Sequence, residues 1–173
     1  MNAVTRIHIS AGIAGSGKST WFANNFDLNS DSVVLISRDL ARLKLTGDME
    51  NHDCEMRVTD YTHCQYVEAI KNPNVANVLV DTTAVRYKDR KDFYKLAENS
   101  GCPVEFHLVV FKNFDEAAIQ NQQRDRVVPD DAMERMRNRF DAPKKEDILR
   151  CASVIEIIRV QRPSESIITY YEK

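Results

Sequence analysis

The chain has 173 residues, the length of one ordinary domain, and its 43% hydrophobic and 29% charged residues are typical of a folded globular protein. A net charge of −2 argues against a protein that coats nucleic acid through bulk positive charge, but not against an enzyme that binds a few phosphates locally. No apolar run approaches the roughly 20 residues of a membrane span, and none follows a basic N-terminal segment as in a signal peptide. We therefore expect one domain over residues 1–173, with no membrane partner, in the cytoplasm of a cell or of an infected host.

The cysteines show no CxxC spacing, and free thiols are the usual state in a chain without an export signal. His52 and His63 lie near two of them, but this spacing matches no usual zinc pattern and no second ligand pair follows. We expect four free thiols and no zinc site. The four are Cys54, Cys64, Cys102 and Cys151.

Short β-branched runs alternate with longer helical stretches along the whole chain. The runs are apolar nearly throughout, which is typical of a parallel sheet covered on both faces. This alternation predicts a three-layer α/β domain with a mostly parallel five-stranded sheet and helices on both faces. The predicted strands are 5–10, 32–37, 76–81, 104–111 and 153–160, and the predicted helices are 18–25, 38–44, 55–71, 87–99, 114–123 and 129–140.

The strongest motif follows the first predicted strand. Residues 12–19, GIAGSGKS, satisfy GxxxxGK[ST] completely and contain three of the five glycines in the chain. Such a loop curls so that backbone N–H groups and a helix N-terminus face phosphate oxygens. Lys18 would reach the β- and γ-phosphates of ATP, and Ser19 would bind Mg²⁺. The motif predicts a P-loop NTPase fold, with ATP phosphates bound by Gly12, Ala14, Gly15, Ser16, Gly17, Lys18 and Ser19.

Such a site normally also contains an acidic residue, at the end of another strand. Asp81 closes the run Val78-Leu79-Val80, and a carboxylate at this edge of a parallel sheet faces the ligand crevice. The other interpretation of Asp81 is a helix N-cap or turn residue.

Asp39 and Arg42 follow the second predicted strand, three residues apart, so both side chains lie on one face of a helical turn. Asp39 is a candidate general base, and Arg42 a candidate ligand for an anionic group of the acceptor. A helix cap with a surface partner explains the same pair equally well. Because the chain is compact and has no NKxD-type guanine motif, a small kinase is the favoured class of P-loop protein.

Together these motifs resemble the kinase domain of phage-type polynucleotide 5′-hydroxyl kinases, over most of the chain. The pair GSGKSTW and RDxxR is fairly specific to this group, although the wider superfamily includes small-molecule kinases with related loops. Nothing resembles the DxDxT phosphatase domain of the phage enzyme, which implies a kinase-only version. The matching stretches are GIAGSGKSTW (12–21), ISRDLAR (36–42), VLVDT (78–82) and 120–140 with the following Pro143.

The resemblance implies roles for individual residues. Thr20 joins Lys18 and Ser19 in holding the ATP phosphates and the metal, and Asp39 is the general base for the 5′-hydroxyl. Arg42 contacts the phosphate on the 3′ side of the acceptor nucleotide. The acceptor side of the implied site also includes Arg38 and the essential acid Asp81.

A lid over residues 120–140 is also implied. Arg124 matches the lid arginine that stabilises charge on the transferring phosphate, and Arg126 is close enough to share or take over that role. Gln120 stands where the phage enzyme has an arginine, and the lid is shorter.

The expected activity is therefore an ATP- and Mg²⁺-dependent 5′-hydroxyl kinase of DNA or RNA ends, in a bacterial or phage-infected cell. The alternative is a P-loop kinase of a small molecule, such as a nucleoside, a sugar or a nucleotide-sugar, which the acidic net charge favours slightly. The basic segment Arg86/Lys88/Arg90/Lys91 favours the polynucleotide acceptor.

A third hypothesis, a nucleotide-binding regulatory or assembly module, does not need Asp39, Arg42 and Arg124. The apolar segment 166–171 is suited to pack on the domain or on a partner, which leaves a homo-oligomer open.

Overall fold

The sheet, with helices on both faces, is the frame of the molecule. A computed structural model describes residues 4–160 and 166–170, with side chains over 4–158. The strands are β1 Thr5–Ala11, β2 Val33–Ser37, β3 Asn77–Asp81, β4 Val104–Phe111, β5 Cys151–Val160 and β6 Ser166–Tyr170. The helices are α1 Lys18–Asn25, α2 Arg38–Thr46, α3 Glu55–Lys71, α4 Tyr87–Ser100, α5 Phe114–Gln122, α6 Asp130–Asn138 and α7 Lys145–Arg150.

The strand order is β2-β3-β1-β4-β5-β6, and the first five strands are parallel. The predicted parallel sheet is therefore confirmed. The sixth strand was not predicted: the backbone of β6 pairs antiparallel with β5, for example Ile168 opposite Ile157, so this segment packs on the domain itself. Tyr171, the last residue of the predicted apolar segment, lies outside the described residues.

The core lies on the central strands, because their side chains are covered on both faces. Ile7 and Ile9 of β1, Val78 and Val80 of β3 and Leu108 of β4 are fully buried. Each such side chain contributes about 1.5–3 kcal/mol by leaving water. Burial on both faces explains why these strands read as continuous apolar runs.

The strand order also determines where a ligand binds. The chain runs from β1 to β2 and β3 on one side of the sheet and to β4 and β5 on the other. Ligands of such sheets bind in the crevice outside the carboxyl ends of the strands, at this switch point. Here the segment that leaves β1 at this point is the glycine-rich loop.

Helix α7 was not predicted, and a buried ion pair explains its position. Arg90 of α4 and Asp147 of α7 are both fully buried, with Nη2 and Oδ2 2.8 Å apart. Arg90 also donates to the carbonyl oxygens of Ala84 and Asp141, at 3.2 and 3.3 Å, and Tyr94 donates its hydroxyl to Asp147 at 2.8 Å. The use of Arg90 as a nucleic-acid contact was wrong, because its guanidinium is enclosed and joins α4 to the segment before α7.

The four cysteines are free thiols. Within residues 4–160 and 166–170, no helix has both the length and the apolarity to cross a bilayer. No group of three or more His, Cys, Asp or Glu side chains in the described part of the chain converges as a metal site would require.

We expect Asp147→Asn to destabilise the fold by about 3–5 kcal/mol, because it leaves the Arg90 charge buried without a counter-charge. The matched control is Glu98→Gln, which breaks the exposed ion pair with Arg150 and is expected to cost less than about 1 kcal/mol. Urea unfolding followed by circular dichroism measures both. Equal losses in the two variants would contradict the structural role of Arg90.

Candidate active site

The loop between β1 and α1 has the shape of a phosphate cradle. Gly15 adopts φ +76°, in the left-handed region, and a Cβ atom there would overlap the carbonyl oxygen of Ala117. Gly12 is also enclosed, because a Cβ atom would lie 2.7 Å from Ser16 Oγ and 2.8 Å from Phe111 Cβ. Both positions therefore require glycine, one for backbone conformation and space, the other for space alone.

The side chain of Lys18 is buried in this loop. Its Nζ donates to the carbonyl oxygen of Ile13 at 2.7 Å and lies 3.4 Å from Ser16 Oγ. Burial lowers the pKa of Lys18 to about 8, against the attraction of Asp81, and Arg124 lowers it further. An anion in the loop would offset this desolvation of the ammonium, so the cradle favours phosphate.

Ser19 and Asp81 meet at the mouth of the loop. Ser19, in the first turn of α1, donates its hydroxyl to Asp81 Oδ2 at 2.6 Å. Asp81 ends β3 and is not the cap of α4, whose N-cap is Arg86. Mg²⁺ prefers hard oxygen ligands of this kind, so the pair fits a magnesium ion. The next residue, Thr20, is exposed on α1.

Asp39 and Arg42 both lie on α2, as their spacing predicted. Arg42 donates Nη1 to Asp39 Oδ1 at 2.6 Å, and it donates Nε and Nη2 to the two carboxylate oxygens of Glu55 at 2.6 and 3.2 Å. Only 9% of the Arg42 side chain is exposed, against 47% for Asp39. Asp39 is therefore an accessible carboxylate that a buried arginine holds in place.

Glu55, at the start of α3, is a site residue that sequence reasoning missed. Besides Arg42, it pairs with Arg38, whose Nη1 also donates to Thr59 Oγ1 at 2.9 Å. The hydrogen bond from Arg42 lowers the pKa of Glu55 to about 2, against burial, and those from Arg38 and His52 lower it further. No motif marks this glutamate, because its partners lie 13 and 17 residues earlier.

The segment between α5 and α6 brings two further arginines to the cleft that contains Asp39. Arg126 Nη1 lies 3.2 Å from Asp39 Oδ2, and its Nε lies 3.4 Å from Glu50 Oε1. Arg124 is exposed and close enough to Lys18 to lower its pKa. Gln120 lies on α5, outside the cleft that these arginines border. That cleft has a volume of about 400 Å³ and is lined by Asp39, Met49, Gln123, Arg124, Asp125 and Arg126.

The base of this segment is closed by one amide side chain. Asn121 donates Nδ2 to the carbonyl oxygen of Val128 at 2.8 Å and accepts from the Val128 N–H at 3.0 Å. The intervening residues 122–127 therefore form a loop with joined ends. Asn121, which sequence reasoning also missed, holds the two arginines over the site.

Several solved structures share the fold. A fungal RNA kinase has a TM-score of 0.70 at 14% identity, over 95% of this chain and 79% of that one. A chain of the Pnkp1/Rnl/Hen1 RNA repair complex has a TM-score of 0.62 at 23% identity, over 82% of this chain and 48% of that one. For a gluconokinase from Sinorhizobium meliloti 1021 the TM-score is 0.54 at 14% identity, over 89% and 83%. At these identities the likeness establishes the fold alone.

Fold and loop together define the class: an α/β protein with a P-loop NTPase-like fold. A family profile described as an AAA domain, AAA_33, matches residues 7–143, most of the chain. The chain belongs to this family. A search of curated proteins finds no significant match.

We expect Glu55→Gln to weaken the dependence of stability on pH. Since the folded pKa of about 2 lies below the ordinary 4.5, the paired carboxylate stabilises the fold above pH 4.5, and this contribution is lost as the pH falls toward 2. The variant should be less stable at pH 7 and lose less stability over that window. Urea unfolding at several pH values measures this. Glu68→Gln, an exposed position on the same helix, should behave like the parent chain.

Proposed function

We propose that the chain is a polynucleotide 5′-hydroxyl kinase of the phage type, which transfers the γ-phosphate of ATP to a 5′-OH end of DNA or RNA. The observation that carries the proposal is the accessible carboxylate of Asp39, which opens into the 400 Å³ cleft between the two lid arginines and α2. A module that only binds nucleotide needs no such carboxylate.

In the proposed reaction, the acceptor hydroxyl enters this cleft and donates its proton to Asp39. The 5′ oxygen forms a bond to the γ-phosphorus, the bond from that phosphorus to the bridging oxygen breaks, and ADP leaves. Arg42 fixes the orientation of Asp39. Because each terminal nitrogen of Arg42 keeps one further N–H, it can also donate to the phosphate on the 3′ side of the acceptor.

The phosphates of ATP occupy the loop, where backbone N–H groups, Lys18 and the N-terminus of α1 bind them. Ser19 and Asp81 are the residues that would hold Mg²⁺, with Thr20 beside them on α1. When bound, the ion neutralises charge on the phosphates. Asp81 acts in this proposal on the phosphate side of the site, since its carboxylate accepts from Ser19.

Residues 120–140 form the proposed lid of a single kinase domain over residues 1–173. Arg124 faces the cleft near Lys18 and stabilises charge on the transferring phosphate. Arg126 contacts Asp39 directly. When ATP is bound, its phosphates compete for Arg126 and release Asp39 for the acceptor.

The polynucleotide acceptor is favoured over a small molecule by two features. The motifs around Asp39 and the P-loop resemble those of polynucleotide kinases, and two structural neighbours are named as an RNA kinase and part of an RNA repair complex. The gluconokinase neighbour supports the alternative, a small-molecule kinase.

A transfer assay with γ-labelled ATP decides between these acceptors. We expect label on 5′-OH DNA or RNA oligonucleotides and none on gluconate, free sugars or nucleosides. Oligonucleotides that already carry a 5′-phosphate are the control. Transfer to a small molecule, with none to any polynucleotide end, would overturn the proposal.

We expect Asp39→Asn to lower kcat by roughly a hundredfold to ten thousandfold, because the amide cannot accept the proton. ATP affinity, measured by calorimetry, should stay close to that of the parent chain. The exposed Asp60→Asn on α3 is the matched control and should keep full activity. A collapse of ATP affinity in Asp39→Asn would contradict the general-base role.

Arg124→Ala should lower kcat by roughly a thousandfold or more, the usual scale for an arginine that stabilises the transferring phosphate. Arg126→Ala should have a smaller effect, because its partners are Asp39 and Glu50. Steady-state kinetics of both variants with the same acceptor measure this difference. Small, equal losses would mean that neither arginine has the assigned role.

A further inference from the structure

A second cleft lies between α4 and α6, outside the cleft that contains Asp39. Its volume is about 300 Å³. Part of its wall is apolar, formed by Val85, Ala132 and Met136, and the rest is polar and mainly cationic. The polar lining residues are Thr83, Arg86, Asp89, Arg135 and Arg139.

Three arginines line this cleft with one acid, so its charge is net positive. Arg86 pairs with Asp89 at 2.7 Å, and Arg135 pairs with Asp131 on its own helix. Both arginines are about half exposed, with 43% and 57% of the side chain accessible. Exposed pairs of this kind are weak and exchange partners readily. Arg139 has no ion pair within the described part of the chain, so its guanidinium is available to a ligand.

The walls of the cleft are joined by hydrogen bonds, so the site is formed in advance. Asp141, just after α6, donates its N–H to the carbonyl oxygen of Val85 at 2.7 Å and accepts from the Tyr87 N–H at 2.8 Å. The buried guanidinium of Arg90 donates to the carbonyl oxygen of Ala84. These contacts also hold Ala84 at φ +34°, which is unfavourable for a residue with a Cβ atom.

The cleft adjoins the candidate active site through both of its walls. Thr83 lies two residues after Asp81, and its carbonyl oxygen accepts from the Gly12 N–H at 2.9 Å. On the other wall, α6 begins four residues after Arg126. These two links give the direction in which a strand whose 5′ end lies at Asp39 would continue.

We propose that this cleft binds a backbone phosphate of the acceptor strand, downstream of the nucleotide that receives the γ-phosphate. Guanidinium groups bind phosphate through paired N–H donors, and the apolar wall is suited to a sugar or the face of a base. This inference rests on the proposed polynucleotide kinase function and deepens it. In this proposal the enzyme distinguishes acceptors by their length as well as by a free 5′-hydroxyl.

The test compares acceptors of increasing length: a nucleoside 3′-phosphate, a dinucleotide and a 5′-OH octamer. For the parent chain, kcat/KM should rise with length. In the double variant Arg135→Ala/Arg139→Ala, kcat/KM should fall roughly tenfold on the octamer, through a higher KM. On the nucleoside 3′-phosphate it should fall no more than about twofold. The dependence of the octamer KM on salt should also become shallower, because fewer counterions are released.

Arg137→Ala is the matched control. Arg137 is on the same helix but contacts Asp115 and the ring of Phe114, away from the cleft, so its removal should affect all acceptors alike and only slightly. Circular dichroism and urea unfolding check that each variant is folded.

The outcomes separate the two proposals. Transfer to oligonucleotides that does not depend on length would overturn the proposed role of the cleft and leave the kinase function in place. Equal losses of kcat/KM on short and long acceptors would do the same. The same losses in Arg137→Ala as in the double variant would also overturn it. An absence of transfer to every polynucleotide, with transfer to a small molecule, would overturn both.

Discussion

The candidate chemistry depends on one constraint of parallel sheets: the carboxyl ends of all their strands meet at a single edge. Ala11 ends β1 at that edge and leads into the glycine loop, Ser37 ends β2 and leads to Asp39, and Asp81 ends β3. Asp81 is far from the loop in sequence but close in space, as its 2.6 Å contact with Ser19 shows. Asp39 is close enough to Lys18 to act against the lowering of its pKa. The fold therefore brings the candidate site residues together at one edge of the sheet.

Charge compensation is the second organising feature of this edge. Asp39 pairs with Arg42 and Arg126, while Lys18 donates to a backbone carbonyl. The cationic groups thus rest on partners within the protein. In the proposed reaction, phosphate oxygens would compete for Lys18 and Arg126, because charge-assisted hydrogen bonds to phosphate are strong. Arg42 differs from these groups, because its largely buried side chain also pairs with Glu55 at 2.6 Å.

Features that depend on residues close together in the sequence could be predicted, whereas features that depend on contacts between distant residues could not. The five parallel strands and the P-loop follow from apolar runs and from glycine spacing within eight residues, and both were found. Helix α7 was missed because its sequence KEDILR is short and largely charged, and the buried pair of Asp147 with Arg90, 57 residues away, explains its position. Glu55 and Asn121 were missed for a similar reason, since their roles depend on partners that no spacing rule identifies.

The arginines show most clearly why sequence alone was insufficient. Arg86 and Arg90 belong to one basic segment but differ in burial, because Arg86 is the N-cap of α4, with an extended backbone, whereas Arg90 lies within the helix on its buried side. A helix that begins at residue 87 buries one side, which here includes Arg90 with Tyr94 and Ala97. The buried member then fixes the backbone of 84–85 that forms the wall beside the exposed one. A basic cluster is therefore divided by the point at which the helix begins: one arginine supports the wall of the cleft, and another lines it.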